Sequence, residues 1–222
     1  LIELINCFVT LKKVFAAFKS MSLIEIIPLE AKHTEDFIQV ISAAFNGYPL
    51  MDFFFGNAYQ RSIEVIGQYL CDRAMIDDSI LLGALVQNEL QGIILAIPPE
   101  ANKNKDETAI SDLDERFARS LPDEALERMN IYNNLKNANK PPQPHFYVNV
   151  LGVHPRSQGM GIGSQLLEHI HILSDKHSKS GGVALDTQTE TNVAYYQNLG
   201  YQVSSTKNFD RLKHWFMFRE KA

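Results

Sequence analysis

Residues 145–164 read HFYVNVLGVHPRSQGMGIGS. They form an alternating strand, a turn marked by Pro155, and a loop whose glycines fall at Gly159, Gly161 and Gly163, with an amphipathic helix directly behind. Such a junction aims successive backbone N–H groups and the positive end of a helix dipole at one point, which suits a phosphate or pyrophosphate. Glycine leaves no Cβ in the way of a ligand lying against the main chain. The segment is read as an anion cradle.

Working outward, the helix spans about Gly161 to Lys176, with Ile162, Leu166, Leu167, Ile170 and Leu173 facing inward. Gly181–Gly182 leads to a strand, Val183–Thr187. A short helix over Asn192–Leu199 stops at Gly200, and strands Tyr201–Ser205 and Trp215–Arg219 finish the chain. Upstream, a strand over Leu23–Ile27 stops at Pro28. Thr34 caps a helix burying Phe37, Ile38, Ile41, Ala44 and Phe45, which Gly47 and Pro49 break. A helix follows over Ala58–Met75. Ile80–Gln87 and Leu90–Ile97 form a hairpin turning at Asn88–Glu89, ended by Pro98–Pro99. Residues 100–144 are polar, with helical patterning at Asp112–Ser120 and Asp123–Lys136 and a closing run of Pro141, Pro142 and Pro144. They read as a helical insertion, a flap or side element too poor in apolar residues to fold alone. A hairpin first, then strands alternating with helices, implies a mixed α/β sheet covered on both faces.

With 222 residues, 45% apolar and 21% charged, the chain suits one domain with a substantial core. A formal charge of −5 argues against a general nucleic-acid binder and leaves cationic acceptors such as amines open. Cys7 and Cys71 make no framework, so a cytoplasmic setting is the default. Residues 1–20 carry Leu4, Phe8, Leu11, Phe15 and Phe18 at helical spacing, either a docking stripe or an extension ahead of a domain at 21–222; the second reading is preferred because a strand follows Met21 at once. Glu3, Lys12, Lys13 and Lys19 leave no uncharged run of roughly 20 residues to span a bilayer, and no basic segment precedes the apolar stretch as in a signal peptide. His169 and His171 diverge on their helix and are read as surface residues, so no metal site is implied.

A dinucleotide fingerprint needs G-x-G-x-x-G, but the glycines here run G-x-G-x-G; a P-loop needs a lysine that Gly163–Ser164 lacks. The run Arg156-Ser-Gln-Gly159-Met-Gly161 instead matches Arg/Gln-x-x-Gly-x-Gly/Ala and resembles the acyl-coenzyme A signature of the GNAT superfamily of N-acetyltransferases. Asn192-Val-Ala-Tyr-Tyr196-Gln-Asn-Leu-Gly200-Tyr201 resembles that family's second cofactor motif, and Leu151-Gly-Val153 leading into His154-Pro155 is a typical approach. The likeness covers 21–219 in element order, its motifs only 145–164 and 192–201.

The resemblance implies a mixed, mostly antiparallel central sheet flanked by helices and splayed between the fourth and fifth strands. It implies acetyl-coenzyme A as co-substrate and no metal. Arg156 and the N–H groups of Gln158, Gly159, Met160, Gly161, Ile162, Gly163 and Ser164 would hold the pyrophosphate. The main chain of Leu151, Gly152 and Val153 would bond the pantetheine and polarise the thioester carbonyl. Asn192 would bond the pantetheine arm, cap its helix, or both. Tyr196 would donate to the departing thiolate; Tyr195, about 100° away around the helix, would be core.

The implied reaction is acetyl transfer to a primary amine of a small molecule or peptide, by direct attack in a ternary complex. No covalent enzyme intermediate is expected, since neither cysteine falls in the motif region. Period-two alternation puts His145, Tyr147, Asn149 and Leu151 on one strand face, where many relatives carry a basic glutamate and this chain has none. His145, a water relay, or an acceptor that arrives neutral stay open as alternatives. Tyr48–Phe55, with Asp52, reads as an aromatic wall for a cationic or hydrophobic amine, or as core. A non-catalytic acyl-coenzyme A sensor is the rival reading. Monomer and homodimer are both compatible with the sequence.

Overall fold

Tight reversals and register shifts in three of the strand pairs shape the sheet. The structure, a computed structural model, describes residues 24–99 and 106–222; the 1–20 stripe and Cys7 lie outside them. Strand β1 (Ile24–Pro28) precedes helices α1 (Thr34–Ala44), α2 (Pro49–Phe55) and α3 (Tyr59–Ile76). Strands β2 (Ile80–Val86) and β3 (Glu89–Ile97) come next, then α4 (Glu107–Arg119) and α5 (Asp123–Ala138). The chain continues as β4 (Phe146–Val153), α6 (Ile162–Lys176), β5 (Gly182–Thr187), α7 (Glu190–Gln197), β6 (Gln202–Phe209) and β7 (Leu212–Glu220). Among the described residues the strands form one seven-stranded sheet in the order β1-β2-β3-β4-β5-β7-β6. All neighbours are antiparallel except β4 and β5, so the expected mostly antiparallel sheet is present. The β2–β3 turn sits one residue earlier than read from the sequence: Gln87 and Asn88 take φ of 54° and 64°, the doubly left-handed pair that matches strand twist.

The bulge in β4 decides what faces the site. Leu95 pairs with Val150 but Ala96 pairs with Val148, leaving Asn149 as the extra residue of β4. Alternation inverts there. Phe146, Val148, Leu151 and Val153 pack in the core cluster with α6, whereas Val150 packs with the cluster of α1 and α3. Tyr147 and Asn149 reach α5 and β5 instead. Leu151 therefore does not share a face with Tyr147 and Asn149, because the single-residue insertion shifts its parity.

Beyond the bulge β4 leaves β5. Their ladder holds Phe146↔Val183 and Tyr147↔Ala184 and no later pair, while β5 stays paired to β7 as far as Thr187↔Trp215. The expected splay between the fourth and fifth strands is present.

Several details differ from the sequence reading. Thr34 is the first residue of α1 and His33 its N-cap. Pro49, expected only to break a helix, begins α2. Leu173 is 41% exposed, while His171 is buried. The buried stripe of α6 runs Ile162, Leu166, Leu167, Ile170, His171 and Ser174, with the polar members paired internally: His171 Nε2 with Tyr201 Oη at 2.9 Å, and Ser174 Oγ with Ser180 Oγ at 2.7 Å. Helices α4 and α5 are longer than expected, and α4 docks on α3 through stacked Tyr69 and Phe117 and the Arg73–Asp114 ion pair.

Candidate functional site

The glycine loop is built as a cradle. Gly159 and Gly161 both take φ of 80°, a left-handed backbone that only glycine adopts without strain, and Gly161 caps α6 in that conformation. A Cβ at either would meet nothing within 4 Å, so this main chain borders open space. The first helical bond runs from Gln165 N to Gly161 O at 3.1 Å. Among the described residues the N–H groups from Gly159 to Ser164 have no acceptor, and the helix dipole adds its positive end. Gly163 serves a different need, since a Cβ there would stand 2.9 Å from the Tyr195 hydroxyl.

The other loop residues are placed as follows. Ile162 is buried, so only its main chain reaches the cradle; Met160 is 42% exposed. Ser164 Oγ bonds Tyr195 Oη at 3.1 Å, which ties Tyr195 to the first turn of α6 rather than the deep core. Gln158 Nε2 donates to Val153 O at 3.3 Å. Arg156 Nε donates to Gln91 Oε1 at 2.9 Å, and its Nη2 pairs with Glu89 at 2.7 Å, clamping the turn to β3. Leu151, Gly152 and Val153 lie on the stretch of β4 that β5 has left.

Helix α7 adds the second motif. Thr189, not Asn192, is its N-cap, accepting from Asn192 N at 3.3 Å. Asn192 is thereby released for Thr187, to whose Oγ1 its Nδ2 donates at 3.1 Å. Tyr48 Oη meets the same Oγ1 at 3.0 Å and accepts from Gln188 N at 3.1 Å, pinning the end of β5. Tyr196 is buried between Tyr195 and Tyr201, with ring centroids at 5.3 and 5.8 Å. Its hydroxyl has no hydrogen-bond partner among the described residues. Burial, reinforced by Tyr48, holds its pKa well above the usual phenol range, so it stays protonated.

Tyr196, Asn192, Asn149, Val150, Asp186 and Tyr48 line a cavity of about 110 Å³. A second cavity of about 330 Å³ shares Leu50, Tyr132, Asn149 and Val150 with it and runs on past Phe54, Phe117, Met129 and Lys136. Helices α4 and α5 thus supply a wall. Where the cavities meet, Asp186 accepts from Tyr132 Oη and Gln188 Nε2, each at 2.8 Å, and from Tyr147 Oη. Gln188 Nε2 also meets His214 Nδ1 at 3.1 Å.

Some expected participants stand elsewhere. Asp52 is exposed and lines neither cavity, and of Phe53–Phe55 only Phe54 lines one. His145 lines neither cavity; its Nδ1 meets Gln143 O at 2.7 Å, and burial lowers its pKa. The sequence reading missed Asp186, Gln188, His214, Tyr132 and Lys136. A lone acid in the apolar strand GVALDT was the available signal. No set of His, Cys, Asp and Glu among the described residues could hold a metal ion, and no helix among them is long and apolar enough to cross a membrane.

The acetyltransferase (GNAT) domain family matches residues 124–203, a stretch that includes both motifs. No curated protein matches the chain significantly. Solved structures share the fold. An acetyltransferase of Corynebacterium glutamicum related to the histone acetyltransferase HPA2 aligns with a TM-score of 0.64 and 14% identity, over 90% of this chain and 97% of its own. A polyamine N-acetyltransferase of Drosophila melanogaster that forms N-acetylagmatine aligns at 0.61 and 15%, over 88% and 98%. The PaiA N-acetyltransferase of Thermoplasma acidophilum, in complex with coenzyme A, aligns at 0.56 and 14%, over 89% and 99%. The resemblance read from the two motifs is borne out: residues 124–203 match the GNAT acetyltransferase domain family, and solved acetyltransferases share the fold.

Proposed function

We propose that this GNAT-fold protein is an N-acetyltransferase that moves an acetyl group from acetyl-coenzyme A to a primary amine, by direct attack within a ternary complex. The observation that carries the reading is the unpartnered Tyr196 hydroxyl on the wall of a cavity beside the β4–β5 split.

The chain's own groups fit a coenzyme A thioester. The acceptorless N–H run from Gly159 to Ser164 suits a pyrophosphate. The abandoned edge of β4 over Leu151–Val153 suits the amides of a pantetheine arm, and Asn192 lines the cavity that Val150 also borders. When bound, acetyl-coenzyme A supplies an activated acyl carbon: the amine's N–C bond forms as the C–S bond breaks, and the thiol leaves. Tyr196, kept protonated by burial, would be the donor to that sulfur. Asp186 already accepts three hydrogen bonds and is better suited to anchor the site than to take a proton. The acceptor ammonium therefore loses its proton to cavity water or arrives neutral.

The test is calorimetric titration with coenzyme A, followed by free-thiol release across an amine panel that includes agmatine, polyamines, amino acids and peptides. Binding with turnover supports the reading. Binding without turnover across the panel favours a non-catalytic acyl-coenzyme A sensor. Absence of binding to folded protein overturns both.

A further inference from the structure

Lys136 on α5 is a half-buried ammonium on the wall of the 330 Å³ cavity. Its Nζ donates to Asn149 Oδ1 at 3.2 Å, and the rings of Tyr132 and Tyr147 lie 5.5 and 5.4 Å away. Among the described residues no carboxylate lies within ion-pair distance of it. An ammonium carries three donors, and a cation withdrawn from water is costly unless an anion or several acceptors compensate it. Asp186 helps from a distance, but Tyr132, Tyr147 and Gln188 already engage its oxygens. The cavity's other cation, Arg73, is spent on Asp77 at 3.1 Å and Asp114 at 2.7 Å. The uncompensated charge on this wall is positive, and most of the remaining lining is apolar.

Resting on the N-acetyltransferase reading above, we propose that the acceptor is an amino acid with an apolar side chain, its carboxylate held by Lys136 and Asn149. Asn149 lines both cavities. A carboxylate there puts an α-amine one carbon away, toward the cavity of Tyr196 and Val150. The side chain then fills the larger cavity against Phe54, Leu70, Phe117 and Met129. A plain amine with the same apolar body would leave Lys136 uncompensated, and a polycation would meet it as a like charge.

Matched acceptor pairs test this: phenylalanine against 2-phenylethylamine and phenylalaninamide, and methionine against 3-(methylthio)propylamine, each followed by free-thiol release. The expected wild-type preference for the amino acids is about tenfold or more in kcat/KM. In Lys136→Met that ratio falls to near one, and in Lys136→Arg it stays above one, with coenzyme A affinity measured on the same preparations as the folding control. If either variant fails to fold, the wild-type ratio alone decides. Equal or better turnover of the decarboxylated amines overturns this inference and leaves the N-acetyltransferase reading standing. Coenzyme A binding with no turnover of any amine overturns both.

Discussion

The hydroxyl of Tyr147 donates to the carboxylate of Asp186 at the point where β4 and β5 part. Main-chain pairing between the strands ends at Tyr147↔Ala184, and two residues further along β5 a side-chain bond takes over. Tyr132 from α5 and Gln188 from beyond β5 converge on the same carboxylate. The split is thus propped by a polar strut whose donors come from three parts of the chain. Burial raises the pKa of both tyrosines well above the ordinary phenol range, so both remain donors at any working pH.

Asp186→Ala strands all three donors in a half-buried site, whereas Tyr147→Phe removes one donor and leaves two. Unmet buried donors cost on the order of 1–3 kcal/mol each. Urea denaturation is expected to show a loss of about 3 kcal/mol or more for Asp186→Ala and about 1 kcal/mol for Tyr147→Phe. Hydrogen exchange should rise in α5 for the first variant. Equal losses would mean that the carboxylate does not organise the cluster.

Tyr196→Phe separates chemistry from structure, because the hydroxyl it removes has no hydrogen-bond partner among the described residues. Stability should move by less than about 0.5 kcal/mol, while kcat and kcat/KM fall together by at least about tenfold. A variant that keeps full turnover would remove Tyr196 from the reaction. One that loses turnover only by unfolding would make it a core residue.

The legible parts of this molecule were those written locally. Alternation located β4, two runs closed by a tight turn located β2 and β3, and the glycine spacing located the cradle, because each depends on neighbours in sequence. The Asn149 bulge was hidden: nothing in Val148-Asn-Val-Leu151 marks it, since it arises from register against Leu95 and Ala96 on β3. That one hidden residue reversed the face assigned to Leu151. The α6 stripe failed for a related reason. Leu173 looks apolar and Ser174 polar, yet Ser174 is inside because Ser180 satisfies it, and His171 because Tyr201 does. Tyr132 and Lys136 stand four apart on one helical face, but only the docked position of α5 reveals that the face borders the cavity.

Gly92→Ala tests how β3 sets the height of the cradle. A Cβ at Gly92 would stand 2.4 Å from Ile162 Cγ2 and 3.1 Å from Leu166 Cδ1, and Ile162 is the first residue of α6. The helix must lift or Ile162 must leave its rotamer, a strain of about 1–3 kcal/mol. Denaturation should show that loss, and calorimetry a coenzyme A affinity weakened several-fold. Unchanged affinity in a destabilised variant would mean that the N–H run is positioned by the loop alone.

His171 gives the fold a pH dependence with a definite sign. Burial, with Arg219 adding to it, lowers its pKa to about 4, against the partial opposition of Glu168 and Asp175. The unfolded chain takes up a proton near pH 6.5. Above that value both states hold a neutral ring and its contribution to stability is complete. As the pH falls from about 6.5 towards about 4 only the unfolded state gains the proton, so stability declines, and below the folded value the decline ends. Between pH 7.5 and 5.0 the loss, discounted for solvent screening, is on the order of 1 kcal/mol. His171→Gln has no titrating ring, so its unfolding free energies at the two pH values should differ by about that much less than those of the wild type. It should also be less stable at pH 7.5, where the bond to Tyr201 is lost. An identical pH dependence in both proteins would show that His171 is not the group that couples protons to folding.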